Sequence, residues 1–179
     1  MKLTDLVAEY RSLFEPEQEK YYDFYRNLPF KKAIELAFKS EYQGKIHGHQ
    51  CRIGRRKLNE VADMALQKID INNIKSFNEF DKIYQFVEDI SNSGIGPLAK
   101  YDFSLRIAVH CQVMIDKVYC HAGTTYGARA LGIKVDDGDK LNSQVFPKPL
   151  NQMRADHIEN FLCIYKDRLK GLNRIVRCL

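Results

Sequence analysis

Between residues 76 and 110 the chain carries two apolar stripes at helical spacing, separated by a short break that contains Gly94-Ile95-Gly96-Pro97. Phe77, Phe80, Tyr84, Val87 and Ile90 recur at intervals of three and four before the break, and Leu98, Tyr101, Leu105 and Ala108 or Val109 do so after it. An apolar stripe of this period is buried by a helix, so the segment reads as two helices joined by a tight turn. Ser76 followed by Glu79 reads as a capping box that opens the first helix. Glycine at 94 and 96 admits positive φ and close approach of a neighbour, and Pro97, which has no N–H, suits a first helical turn. Ile95 is expected to point inward and pin the turn.

The same period recurs along the chain. Residues 4–14 read as a helix capped by Thr4, Pro16 starts another through about Leu28, and Pro29 restarts the pattern in "FKKAIELAFK". "RRKLNEVADMALQKI" places Leu58, Val61, Ala62, Ala65, Leu66 and Ile69 on one face, a short helix runs from Thr124 or Thr125 to Gly132, and "DHIENFLCIYKDRLK" forms a last helix stopped by Gly171. Residues 40–54 and 133–150, with their glycines and prolines, read as loops or irregular extended stretches. The fold class is therefore all-α: one helical domain over residues 1–179, with the helices of 1–39 packing on it, a helix-hairpin-helix-like unit at 76–110, and little or no strand. A chain of 179 residues with 45% hydrophobic side chains is long enough to bury a core without covalent staples.

Cys51, Cys111, Cys120, Cys163 and Cys178 are odd in number and form no C-x-x-C pair, which predicts free thiols in a reducing compartment. No run approaches the roughly 18 apolar residues of a membrane span, and the first residues carry acid within their apolar pattern, so a cytoplasmic protein without a membrane partner is expected. The formal charge of +5 favours a polyanionic partner. Its cations concentrate in "RIGRRK" at 52–57 and in residues 165–177, where the alternative is a solvated helix face.

The glycine, apolar, glycine pattern at 94–96 with a helix opening behind it resembles the helix-hairpin-helix family of nucleic-acid-binding motifs, over residues 80–108. That resemblance implies a backbone grip on phosphate at the amino end of the second helix, through Gly94, Ile95 and Gly96. Lys100 adds a cation, Arg55, Arg56 and Lys57 serve as auxiliary contacts, and a nucleic acid, DNA first, is the partner. In the family an apolar residue sits two positions before the first glycine; here Ile90 is four before Gly94, so the turn is longer. A ligand-free interhelical turn is the competing reading. Phosphate contacts of this kind position a protein and carry no sequence information.

The helix-hairpin-helix DNA glycosylases place a catalytic aspartate beyond the hairpin. Asp116, 20 positions past Gly96 in "MIDKVY", is similar to that stretch. If the protein is an enzyme, the resemblance implies a monofunctional glycosylase with Asp116 as its catalytic residue and Tyr101, Tyr119 or Tyr126 stacking an extruded base. The family's strand-cutting lysine is absent, since Leu98 holds that place. A surface turn residue is the competing reading of Asp116.

A second polar group combines His47 and His49 of "HGHQCR", Tyr101, Asp102 and Arg106 of "YDFSLR", and His121 of "YCHAGT". Convergence of these side chains would make a pocket for a small-molecule or metal-dependent enzyme, the alternative to nucleic-acid binding; a structural, partner-binding helical domain is the third option. Asp102 and Arg106, four apart, can pair on one helix face. His47, His49 and Cys51, with Cys120 or His121, offer donors for zinc, but the paired short spacings of metal sites are missing, so no metal and no cofactor is assigned. "HGHQCRIG", "GIGPLAKYDFSLRI", "VYCHAGTTYGARALGI" and "IENFLCIYK" also resemble, in this order, blocks of an uncharacterised prokaryotic protein family. That resemblance implies one integrated domain and supplies no mechanism.

Overall fold

The computed structural model describes residues 2–69, 75–91 and 94–176, with side chains to residue 172. Asn92 and Ser93 of the turn, Cys178, and the cations of the second basic cluster beyond residue 172 lie outside the described residues. The protein is predominantly α-helical. Its helices are α1 (Leu3–Leu13), α2 (Glu15–Arg26), α3 (Phe30–Lys39), α4 (Arg55–Lys68), α5 (Phe80–Ile90), α6 (Pro97–His110), α7 (Ala122–Ala130) and α8 (Ala155–Val176). Among the described residues two antiparallel ribbons join them, β1 (Glu41–Tyr42) with β2 (Lys45–Ile46) and β3 (Lys117–Tyr119) with β4 (Lys140–Asn142).

The chain divides into two compact units, residues 1–18 with 115–179, and residues 19–114. In the first unit α7 lies against α8 so closely that glycine is required. A Cβ on Gly127 would stand 2.4 Å from the carbonyl oxygen of Leu162, and one on Gly123 would stand 2.6 Å from Cys163 Sγ. Tyr10 of α1 is fully buried in this unit; its hydroxyl lies 3.0 Å from His157 Nδ1 and donates to Gln18 at 2.7 Å.

In the second unit α6 is the centre. Ala99, Tyr101, Phe103, Ser104, Arg106, Ile107, Ala108 and Val109 are all buried, which wraps most of its circumference. A helix buried on most sides shows no clean stripe, and for that reason the expected face of Leu98, Tyr101 and Leu105 captures it only in part. Phe38 of α3 meets Phe103 with ring centroids 5.2 Å apart, and Phe80 of α5 meets Tyr101 at 5.9 Å. Leu58, Val61, Ala62 and Ala65 of α4 are buried as their spacing predicts.

Several expected helix ends move; α7, for one, runs Ala122–Ala130 rather than from Thr124 or Thr125 to Gly132. Lys2, not Thr4, precedes α1, and its N–H donates to the Asp5 carboxylate at 2.7 Å. Glu79, in extended conformation, precedes α5, so Ser76 does not cap it, and Ile83 replaces Tyr84 on the buried face. Helix α8 continues through Gly171, whose position has open space around it. One glycine costs a helix about 1 kcal/mol, less than packed turns on either side supply.

Candidate nucleic-acid interface

At the described residues 94–97 of the turn between α5 and α6, positive φ occurs at Gly94 and not at Gly96. Gly94 has φ 94°, a value that favours glycine, and Ile95 is buried at 6% exposure. Gly96 is extended at φ −76°, ψ 167° and caps α6, with Pro97 in the first turn. Gly94, Gly96 and Pro97 are exposed. The Gly96 carbonyl accepts from Lys100 N–H at 3.1 Å, while the N–H groups of Leu98 and Ala99, in the first turn, have no acceptor within the helix. A side chain built on Gly96 would meet nothing within 4 Å.

The fold brings the basic cluster to this tip. Helix α4 begins at Arg55, and the Cε of Lys57 lies 3.8 Å from where a Cβ on Gly94 would be. Arg55 and Arg56 on the same first turn are exposed. Lys57 Nζ is 3.8 Å from Glu60, and Lys100 Nζ is 3.6 Å from Glu88. Surface pairs of this kind contribute about 0–1 kcal/mol, so both ammonium groups can exchange a carboxylate for a phosphate at little cost.

Asp116, by contrast, is an exposed residue just before β3 and belongs to the first unit, whereas the hairpin belongs to the second. Tyr101 and Tyr119 are 1% and 2% exposed and fill the cores of their units, so neither is positioned to stack an extruded base; Tyr126 is exposed. His121, which precedes α7, is also in the first unit.

His47, His49, Asp102 and Arg106 converge in the second unit, placed by a local device, whereas Tyr101 packs against Phe80 in the core. Ser40 ends α3 in the left-handed conformation at φ 53°, and the chain returns through a two-residue turn with positive φ at Gln43 and Gly44. That pair of angles fits the turn joining β1 to β2. His47 N–H then donates to the Ser40 carbonyl at 2.8 Å, and a 3-10 turn over Gly48–Gln50 sets His49 and Gln50 beside α6. The sequence signal was Gln-Gly between Glu-Tyr and Lys-Ile, inside the stretch expected to be irregular.

Arg106, 2% exposed, is held from four directions: it donates to Tyr21 Oη, to the Ala37 carbonyl and Ser40 Oγ at 3.2 Å each, and to Gln50 Oε1 at 3.1 Å. Gln50 is fully buried and its Nε2 donates to Asp102 Oδ2 at 2.5 Å, so it relays the expected Asp102–Arg106 pairing. Burial opposes the charge on Asp102, yet the neighbouring His49 imidazole and Arg106 hold its carboxyl below the ordinary value. His47 is pushed down to about 4, first by burial and then by Arg106, so its ring is neutral at pH 7. His49 Nδ1 lies 3.7 Å from Asp102 Oδ2, and the His47 and His49 rings meet edge to face at 5.0 Å. One donor atom from each of His47, His49 and Asp102 falls within 4.8 Å of the others. Cys51, exposed and directed toward backbone carbonyls of Ile46 and His47, is outside that group. Sequence reasoning missed Tyr21 and Ser40, which no local motif marks.

Compared with protein-family models, curated proteins and solved structures, the chain matches none. The functional reading therefore rests on the arrangement of these side chains.

Proposed function

We propose that the protein binds nucleic acid, duplex DNA first, by seating a backbone phosphate on the amino end of α6. The observation that carries this reading is that Gly94, Gly96 and Pro97 are exposed, with no described residue within 4 Å of a Cβ on Gly96 and the Lys57 side chain beside Gly94. First-turn amides without an acceptor in the helix, together with the helix dipole, attract an anion there, while Lys57, Lys100, Arg55 and Arg56 supply charge around it. No base edge is read by such a contact, so affinity is sequence-independent and salt-sensitive. Asp116 is assigned no catalytic role in this reading, since it is an exposed residue of the first unit.

Fluorescence anisotropy of a labelled duplex tests it. Binding is expected at about 50 mM salt and to fall at least tenfold by about 200 mM. Gly96→Glu introduces a carboxylate into open space at an ordinary φ, so it should abolish binding while leaving the melting temperature unchanged. Lys57→Ala should weaken binding and reduce the salt slope by about one. Absence of binding at 50 mM salt, or equal binding by Gly96→Glu, overturns the proposal; preference for a single strand would change its substrate class.

A further inference from the structure

We infer that His47, His49 and Asp102 form a binding site for one divalent first-row transition-metal ion, with the remaining coordination positions open to water or an anion. The inference is independent of nucleic-acid binding. Among the described residues this is a group of two imidazoles and one carboxylate whose donor atoms already share a 4.8 Å neighbourhood. Metal–nitrogen bonds of about 2.0–2.1 Å require donors roughly 3–3.5 Å apart, so the ligands must close by about 1–2 Å. His49 has the freedom to do so, since its side chain is 49% exposed.

Three further features fit a metal. His47 Nδ1 is buried and has no hydrogen-bond partner among the described residues, an expensive state for a ring nitrogen unless something is meant to bind the imidazole. Asp102 is oriented from behind by Gln50, which Arg106 fixes in turn, the kind of outer support that metal-ligating carboxylates receive. That hydrogen bond occupies one of about four lone-pair positions on the carboxylate, leaving others for an ion. The backbone that carries His47 and His49 is fixed by the Ser40 hydrogen bond and the 3-10 turn, so only the His49 side chain has to move. Two imidazoles with one carboxylate suit zinc, iron, cobalt or nickel better than calcium or magnesium, which take oxygen ligands. Three protein ligands leave an incomplete shell, the pattern of reactive sites rather than structural ones. Arg106 offsets the charge of Asp102, so the bound ion keeps most of its own charge and attracts an anion into the open positions.

Isothermal titration of the chelator-treated full chain with Zn²⁺ tests the site. One equivalent is expected to bind, with affinity falling at least tenfold in His49→Ala and in Asp102→Asn, and remaining within twofold of wild type in Cys51→Ala. His49 is half exposed, so its variant should fold even if Asp102→Asn disturbs the buried network. No saturable binding up to about 100 µM Zn²⁺, unchanged binding by His49→Ala, or an equal loss in Cys51→Ala each overturns the assignment.

Discussion

Replacing Arg106 by methionine is expected to destabilise the second unit by about 3–5 kcal/mol. The guanidinium is buried and satisfies Tyr21 Oη, the Ala37 carbonyl, Ser40 Oγ and Gln50 Oε1 together. Methionine fills similar volume, but it strands those acceptors and leaves the Asp102 carboxylate without its compensating charge. A buried polar group left unsatisfied costs about 1–3 kcal/mol, and several are created at once. Lysine should not rescue the loss, because a single ammonium cannot reproduce the planar fork that reaches partners on α2, α3 and the 3-10 turn. Urea denaturation would read the change as a lowered midpoint at unchanged slope. The control is Arg56→Ala, whose side chain is 95% exposed and should stay within about 0.5 kcal/mol of wild type. Combining Asp102→Asn with Arg106→Met should cost less than the sum of the two singles, since both act on one network. Wild-type stability of Arg106→Met would show that the guanidinium is not buried as described.

The second large effect belongs to the first unit. Gly127→Ala puts a methyl group 2.4 Å from the Leu162 carbonyl oxygen and 2.9 Å from that residue's C and Cα. Backbone cannot step aside as a flexible side chain can, so α7 and α8 must separate. Overpacking of this kind costs about 1–3 kcal/mol, occasionally more, against about 1 kcal/mol gained from alanine's better helix propensity. A net loss of about 1–2 kcal/mol lowers the melting temperature by about 2–8 °C for a chain of this size. Gly171→Ala makes the comparison clean: it sits within α8 with nothing within 4 Å, so there the propensity gain stands alone and stability should rise or hold. Should Gly127→Ala behave like Gly171→Ala, the close approach of the two helices is wrong.

These two residues also mark how far the sequence could be read. Amphipathic helices such as α4 were legible because Leu58, Val61, Ala62 and Ala65 face one core at one period. Helix α6 was harder, since burial around most of its surface erases the contrast between faces. The positive φ of Gly94, the buried Ile95 and Pro97 in the first turn were also legible, whereas Gly96 takes an extended conformation open to any residue. Gly123 and Gly127 carried no such signal: their role depends on Leu162 and Cys163, more than thirty residues away. The polar group was recognised in part. His47, His49, Asp102 and Arg106 meet while Tyr101 and His121 lie elsewhere, and Gln50 as the relay and Tyr21 and Ser40 as supports follow from tertiary placement. Charge alone grouped Arg55, Arg56 and Lys57, and only the fold could lay Lys57 on Gly94.

The central claim is that the amides opening α6 receive a phosphate. Two-dimensional amide NMR of the labelled protein, titrated with a short duplex at about 50 mM salt, observes those protons themselves. The account expects the largest shifts at Gly94, Gly96, Leu98 and Ala99, with smaller ones at Arg55–Lys57, and their disappearance in Gly96→Glu. Shifts confined to other surfaces while these amides stay fixed would contradict it.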